Sequence, residues 1–534
     1  MAIDGDEIPE TQPLLRQRSR SLSYAGEENG VSKNTAWKWP TFTTISPRYK
    51  WIPLLGCIII FVNEAEYFIK QVATMRAIES MYCYEHYLAQ DSPLAKLGKH
   101  IPERFCKDHS IQKQLAKTAG LIMFFRMLSA MIGAIPLGWL ADRSGRKLVL
   151  ILHKVNVTIT CIAWLVLYLM FPKVPIWTLY LSGLSGMIGG NFDIGLAMLF
   201  ASYTDVIPSA TERATLFFLT TSMQYLAQTF CPTIGAFLMN LDGQGGTPQV
   251  NLTVSAVLAI FTAVLTIVAF PETVQESRKD KSEDVEEPYE ESTDATTAST
   301  EESRWWLQRQ WQKLFANLKA SIAGVGVLNI VLLTTSMLFA ATGIKSIDWF
   351  ALVQYPVIKL HWTFSQASYI VTMEGFLMLF HFSVLLPLLN RLAVSYFRSP
   401  GAGHFATMAG SAALLIAGST LIGFSSSTGA FVCAVVIYLF GAGLPTATQA
   451  YIVSLIEKNK VARVMATLSM ASIGGKLIAS ILFPKILAIG LDLKIDVLVG
   501  LPFFASAVLF VVAALCVTIV GLRVREAQST NNDL

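Results

Sequence analysis

Gly138-Trp139-Leu140-Ala141-Asp142-Arg143-Ser144-Gly145-Arg146-Lys147 is a polar stretch set between two long apolar ones. Residues 118–140 run apolar except for Arg126, and residues 148–170 do the same on the other side. Each is long enough to cross a hydrocarbon core about 30 Å thick, which takes roughly 20 helical residues. The polar stretch therefore reads as a tight turn at a membrane face. Arg143, Arg146 and Lys147 place that face in the cytoplasm, because Lys and Arg of short loops stay on the inner side. Gly145 supplies backbone freedom for the reversal, and Gly138 is expected to let a neighbouring helix approach. Asp142 is expected to accept hydrogen bonds from the N-terminus of another helix, where the dipole favours an anion.

The positive-inside rule explains the charges but not the spacing of Gly and Asp. As a pattern, Gly-x-Leu-Ala-Asp-Arg-x-Gly-Arg-Lys resembles the loop between the second and third helices of the major facilitator superfamily. The composition agrees with a membrane protein: of 534 residues 53% are hydrophobic and only 15% charged, far from the soluble average. A net charge of +4 gives no reason to expect nucleic acid. Seven Cys are scattered without a CxxC or a Cys/His cluster, so no metal site is indicated. Residues 1–50 are polar, which argues against a cleavable signal peptide. No Walker A sequence and no nucleophile–base pattern is present, so neither ATP coupling nor an enzyme is expected.

Apolar segments fall at about 51–72, 118–140, 148–170, 176–203, 214–239 and 250–270, then at 322–344, 364–389, 404–424, 429–455, 463–489 and 497–521. Twelve spans put both termini in the cytoplasm, and the short inner loops then carry about nine Lys and Arg against about four outside. The expected organisation is all-α, with a cytoplasmic tail over 1–50, a six-helix half over 51–271, a linker over 272–320, a second six-helix half over 321–522 and a cytoplasmic tail over 523–534. An internal repeat supports the two halves. Asp142-Arg143 is echoed by Asn390-Arg391, Tyr203 by Tyr451 and Arg213 by Arg463 at an offset close to 250 residues. The second copy has lost the acid and the glycines.

Within the tail, Glu10-Thr-Gln-Pro-Leu14-Leu15 resembles an acidic dileucine sorting signal that adaptors read. The arginines at 16, 18 and 20 around Ser19 and Ser21 suit anionic lipid or phosphorylation, though a solvated tail explains them better. Residues 73–117 read as an outer loop. It holds Cys83 and Cys106, which face an oxidising side and either pair as a disulfide or stay free thiols. Residues 272–303 hold twelve acidic and three basic side chains, a composition that builds no core. The linker ends over 304–320 in a helix pattern with Leu307, Trp311, Leu314, Phe315 and Leu318 on one face, suited to resting on the inner leaflet.

Charges inside a bilayer cost enough to need a cavity or a partner. Here they lie on the first segment (Asn63, Glu64, Glu66, Lys70), the second (Arg126), the fourth (Asn191, Asp193), the fifth (Gln224, Gln228), the eighth (Glu374, His381), the tenth (Gln449) and the eleventh (Lys476). The resemblance implies that segments 3, 6, 9 and 12 support the bundle from outside while the others line the cavity. His153 and Lys154 lie near the cytoplasmic end of segment 3. Glu66 and Lys70 are spaced to neutralise one another near the outer face. Arg126 suits pairing with an acid of segment 1 or 4, and Asp193 is a buried acid of structural or functional kind. Glu374 and His381, seven apart on one face, together with Glu64 and Asp193, are the proton-handling candidates. Asn63, Glu66, Arg126, Asn191, Gln224, Gln228, Gln449 and Lys476 are candidates to line a substrate cavity. Gly138, Asp142, Arg143, Gly145, Arg146, Asp205 and Arg213 make up a conformational hinge.

A closer resemblance covers residues 51–240. Ile78-Glu-Ser-Met-Tyr-Cys83-Tyr, Ile101-Pro-Glu-Arg-Phe-Cys106-Lys, Gln112-Lys-Gln-Leu-Ala, Gly189-Gly-Asn191 and Asp205-Val-Ile-Pro-x4-Arg213-Ala-Thr are similar to a fungal facilitator group, itself distantly similar to proton-coupled folate transporters. The resemblance implies proton-linked transport of an organic solute without a bound cofactor. Efflux of a secondary metabolite or drug-like compound by proton antiport is one expectation. Proton-coupled uptake of an organic anion, drawn by Lys476 and Arg126, is the second, and a non-transporting receptor or scaffold the third. The expected setting is a monomer in the plasma membrane, with the vacuolar membrane as the alternative.

Overall fold

The computed structural model describes residues 45–241, 247–273, 327–346, 352–385, 400–455, 461–493 and 495–532, with a few single positions between 388 and 396. The sorting pattern, the linker beyond residue 273 with its helix pattern at 304–320, and Asn390-Arg391 lie outside the described residues, as do the side chains of Asp142 and Arg463.

α1 spans Ile52–Ala89, 38 residues, or about 57 Å at 1.5 Å per residue. That is nearly twice the hydrocarbon thickness. Between Cys57 and Ser92 the chain contains neither Gly nor Pro, so nothing breaks the helix where the hydropathy falls. α2 spans His109–Ser144 and is capped by Asp108, whose carboxylate accepts the Ser110 N–H at 2.8 Å. The expected loop over 73–117 is thus corrected to residues 90–108, since both flanking helices project beyond the membrane. The charges that lowered the hydropathy of 73–89 lie in the projecting part of α1.

The turn at 138–147 is likewise shorter than expected. α2 runs to Ser144, α3 spans Arg146–Met170, and Gly145 alone separates them at φ 106°. The fourth span is discontinuous: α4 (Leu181–Leu184), α5 (Gly186–Gly189) and α6 (Phe192–Val206) are broken at Gly190, which sits at φ 71°. α7 spans Ala210–Met239 and α8 spans Gln249–Ala269.

The second half follows with α9 (Val327–Ser346), the short buried α10 (Leu352–Lys359), α11 (Phe364–Phe380) and a π-helical turn over His381–Leu385. Then come α12 (Pro400–Phe424), α13 (Thr428–Phe440), α14 (Leu444–Leu455), α15 (Val461–Asp492) and α16 (Leu501–Asn532). The expected tenth span is split into α13 and α14 by a turn at Gly441.

Among the described residues, ten helical segments are long and apolar enough to cross a membrane. α7 and α9 fall short of that measure. α7 is diluted by Thr, Ser and Gln because it runs along the seam between the halves, and α9 carries a shorter apolar stretch, Val331–Lys345. Large apolar side chains such as Phe261, Val264 and Val268 on α8 and Val508 and Leu515 on α16 face outward, as lipid contact requires.

The halves meet along two seams, α2 against α15 and α7 against α11. At the first, a side chain on Gly120 would put its Cβ 2.4 Å from Pro484 Cγ and 2.7 Å from the Ser480 carbonyl oxygen. Only Gly lets the backbones come so close. Apolar packing continues across the outer end, where Val72, Met75 and Ile78 of α1 share one buried cluster with Val357, Phe364 and Val371.

Candidate functional site

Between the halves lies a cavity of about 330 Å³. α1, α2, α3, the broken fourth span and α7 build nearly all of its wall, and Lys345 on α9 and Lys476 on α15 close it from the second half. Of the cavity candidates, Asn63, Glu66, Arg126, Asn191, Gln224 and Lys476 line it, as do Glu64 and Asp193 of the proton-handling candidates. Gln228, Gln449, Glu374 and His381 do not. Gln228 lies in the α7–α11 seam, where its backbone would sit 2.7 Å from a Cβ on Gly375. Glu374 is buried on α11, and His381 is buried beside the rings of Phe382 and Phe440.

The wall is organised around α1. Glu66 forms an ion pair with Lys70, one turn on, and the Cys161 thiol joins both, 2.8 Å from Glu66 Oε1 and 2.9 Å from Lys70 Nζ. One turn nearer the start of α1, Lys154 Nζ donates to Asn63 Oδ1 at 2.6 Å. Lys154 is 2% exposed and Glu64 beside it 5% exposed. Glu64 feels the charges of Lys154, Glu66 and Arg126 and has a hydrogen bond with Asn63. Lys154 departs from expectation. It stands eight residues into α3, about 12 Å along the axis, and points into the bundle behind the cavity wall, to which the same span contributes His153, Asn156 and Thr160. The resemblance had put that span outside. The physical signal was there: a cation at this depth needs a partner, and Asn63 and Glu64 were the available ones.

Arg126 pairs with no acid within 4.0 Å among the described residues; its guanidinium lies over the Tyr67 ring, 5.4 Å from the centroid. Asp193 is exposed, not buried, and accepts from Asn191 Nδ2 at 3.1 Å. The break at Gly190 accounts for this. It ends α5 and turns the first residues of α6 toward the cavity, and Asn156 Nδ2 takes up the freed Gly190 carbonyl at 3.2 Å. Irregular backbone at membrane depth is tolerated where it lines such a space. Lys345 was not foreseen, because it ends a span and reads as an ordinary interfacial lysine.

At the α2–α3 turn the anion at a helix N-terminus is Glu272. Its two carboxylate oxygens accept the N–H groups of Arg146 and Lys147 at 3.1 and 3.2 Å. This satisfies orphan donors of α3 and opposes the dipole. Gly145 makes room, since a Cβ there would lie 2.2 Å from Glu272 Oε2. Arg146 Nε sits 3.6 Å from Asp205, which in turn accepts from Thr273. Arg213 donates to the carbonyls of Ile207 and Pro208, and Arg143 lies over the Trp139 ring. Gly138 corrects the expectation of a close neighbour: nothing lies within 4 Å of a Cβ built there, because the packed face of this end of α2 is the one carrying Leu137 and Ala141. At the opposite end of the bundle Cys83 and Cys106 are joined in a disulfide. Among the described residues no group of three His, Cys, Asp or Glu gathers to hold a metal.

Two sets of spanning helices closing on a central cavity, apolar for the most part with charged groups set into its wall, define a secondary-transporter architecture. The family model described as Major Facilitator Superfamily matches residues 110–403, and the chain belongs to that family. An efflux pump of Emericella nidulans, atnC, is 25% identical over 453 residues, covering 84% of this chain and 82% of the relative. The efflux pump ustT of Aspergillus flavus is 24% identical, with 73% of each chain covered. Among solved structures, a D-xylose–proton symporter superposes with a TM-score of 0.54 at 13% identity, covering 87% of this chain and 95% of that one. The human organic anion transporter MFSD10 gives 0.52 at 15%, covering 88% and 100%. At such identities the solved structures bear on the fold alone.

Proposed function

We propose that the chain exports a small organic solute from the compartment its termini face, with protons moving the opposite way. Glu64 carries this reading: a nearly buried carboxyl on the wall of the cavity, with no cation within ion-pair distance among the described residues. Such a group can hold a proton in one orientation of the carrier and release it in the other, with Lys154 near enough to balance the charge that release leaves. The mostly apolar cavity suits an amphipathic solute, and the efflux pumps among the relatives support the outward direction. The plasma membrane is the setting where such export serves the cell.

The test is accumulation of a fluorescent amphipathic cation, rhodamine 6G, in cells with and without the protein at two external pH values. The expected result is lower accumulation with the protein, more so at the lower external pH, and loss of the pH effect in Glu64→Gln. Equal accumulation at both pH values with an active protein would remove the proton from the reading.

A second reading, uptake of an organic anion, is favoured by one observation. Arg126, Lys345 and Lys476 face the cavity with no carboxylate within 4.0 Å among the described residues. Fluorescein in the same assay decides: accumulation that rises with the protein and at lower external pH selects uptake.

A further inference from the structure

The end of the bundle that carries the disulfide holds a buried ionic network that neither the cavity nor the proton requires. Glu79 on α1 is fully buried and accepts from Arg76 at 2.9 Å, Lys107 at 3.0 Å and Gln112 at 2.6 Å. Glu103 accepts from Lys107 at 2.6 Å and lies 4.0 Å from Arg76. Two carboxylates and two cations thus balance inside the protein, as buried charges must.

This network reaches across to the other half at two points. Glu103 Oε1 also accepts the backbone N–H of Phe364, at 2.7 Å. Phe364 is the first residue of α11, so Glu103 satisfies an orphan donor of a helix from the opposite half and meets the positive end of its dipole. Lys107 lies over the Phe364 ring, 4.7 Å from its centroid. Gln354 on α10 donates to the Gln112 carbonyl at 3.0 Å. Separation of the halves at this end breaks all three contacts.

Glu103 is carried by the 90–108 loop, and Cys106 ties that loop to Cys83 on α1. The Cys106 carbonyl further accepts from Gln112, and Arg76 holds the Ile101 carbonyl at 2.8 Å. The carboxylate that grips the second half is therefore positioned by a covalent staple within the first.

We propose that the Cys83–Cys106 loop is an outer latch: the disulfide holds Glu103 against the N-terminus of α11 and so favours the carrier state closed at this end. The latch goes beyond the choice of solute and of coupling ion. Glu103 and Gln354 act as positioning residues for the closed state and touch no solute. Removal of either the staple or the carboxylate shifts the population toward the state open at this end.

Hydrogen–deuterium exchange of the full chain in lipid nanodiscs tests this without substrate or proton gradient, so its failure leaves the transport reading standing. A phosphine, TCEP, gives the S–S bond two electrons, two protons enter from water, and the phosphine leaves as its oxide. The expected result is exchange faster by about tenfold or more at residues 352–370, a segment chemically untouched by the treatment, because local opening governs amide exchange. Glu103→Gln gives the same acceleration with the disulfide intact, and residues 427–440 stay as protected as before. Where Cys83→Ser with Cys106→Ser fails to fold, reduction of the folded wild type and Glu103→Gln decide. Unchanged protection of 352–370, whether 90–108 loosens on reduction or not, overturns the latch. So does a Glu103→Gln variant protected like the wild type.

Discussion

Lys154 Nζ and Asn63 Oδ1 are 2.6 Å apart, which fixes a cation of α3 against α1 inside the bundle. The pair sets the electrostatics of Glu64, and it lends itself to a mutant cycle. Lys154→Met leaves Glu64 buried without its nearest compensating charge. The two are not in direct contact, so the loss is expected to fall below the figure of about 3–5 kcal/mol for a broken buried ion pair. Adding Glu64→Gln to Lys154→Met is expected to recover a large part of that loss, since the neutral amide needs no cation. Thermal unfolding followed by size-exclusion fluorescence measures the cycle, and strictly additive losses would show that the two groups do not interact.

Glu272 and Gly145 form one device at the α2–α3 turn. Glu272→Ala removes two acceptors from the first turn of α3 and is expected to lower stability by about 1–2 kcal/mol, the range of a lost helix cap. Gly145→Ala adds a Cβ where Glu272 already stands, at a backbone φ of 106° that side chains avoid. It is therefore expected to cost more than Glu272→Ala, and the same unfolding assay ranks them.

The α2–α15 seam depends on Gly120. Gly120→Val forces α15 away at Pro484 and Ser480, so the halves separate at the outer end. Lys113 and Asp492, now 2.6 Å apart, report on this when both are changed to Cys in a background without other free thiols. Cross-linking of the pair is expected to be fast with Gly120 in place and slowed by about tenfold in the Gly120→Val variant, as the closed population falls.

Asp108 titrates outside the membrane. The hydrogen bonds from Ser110 hold its carboxyl below the usual carboxylate range. A depressed acid contributes stability that is present above its unfolded pKa and lost as pH falls through the folded one. The first turn of α2 is thus expected to stay protected from amide exchange down to the ordinary Asp range and to loosen below it. Asp108→Asn keeps a good cap and removes the pH dependence, whereas Asp108→Ala loses about 1 kcal/mol at neutral pH.

The spans were legible in the sequence because lipid demands long apolar helices, and the turn at 138–147 marked the family through its charges and glycines. Helix ends were not legible. α1 outruns its apolar stretch, which fades near Val72, and continues to Ala89, since helix propensity and burial of Arg76 and Glu79 among partners carry it past the membrane. The cavity candidates on α1, on α2 and around Gly190 lie on its wall, whereas Glu374 and His381 lie off it. Periodicity shows that two residues share a face without showing what that face meets. Lys154, though marked near the end of the third segment, stayed off the candidates because a family-wide rule about that span outweighed the plain cost of its charge.

Nearly the whole wall of the cavity belongs to one half, with Lys345 and Lys476 as the contribution of the other. Under the transport proposed above, recognition and leverage would be housed separately, with the first half reading the solute and the second chiefly supplying the motion. A lineage acquiring a new cargo could do so by altering residues between Asn63 and Gln224 alone, leaving the remaining chain free to drift so long as its seams still fit.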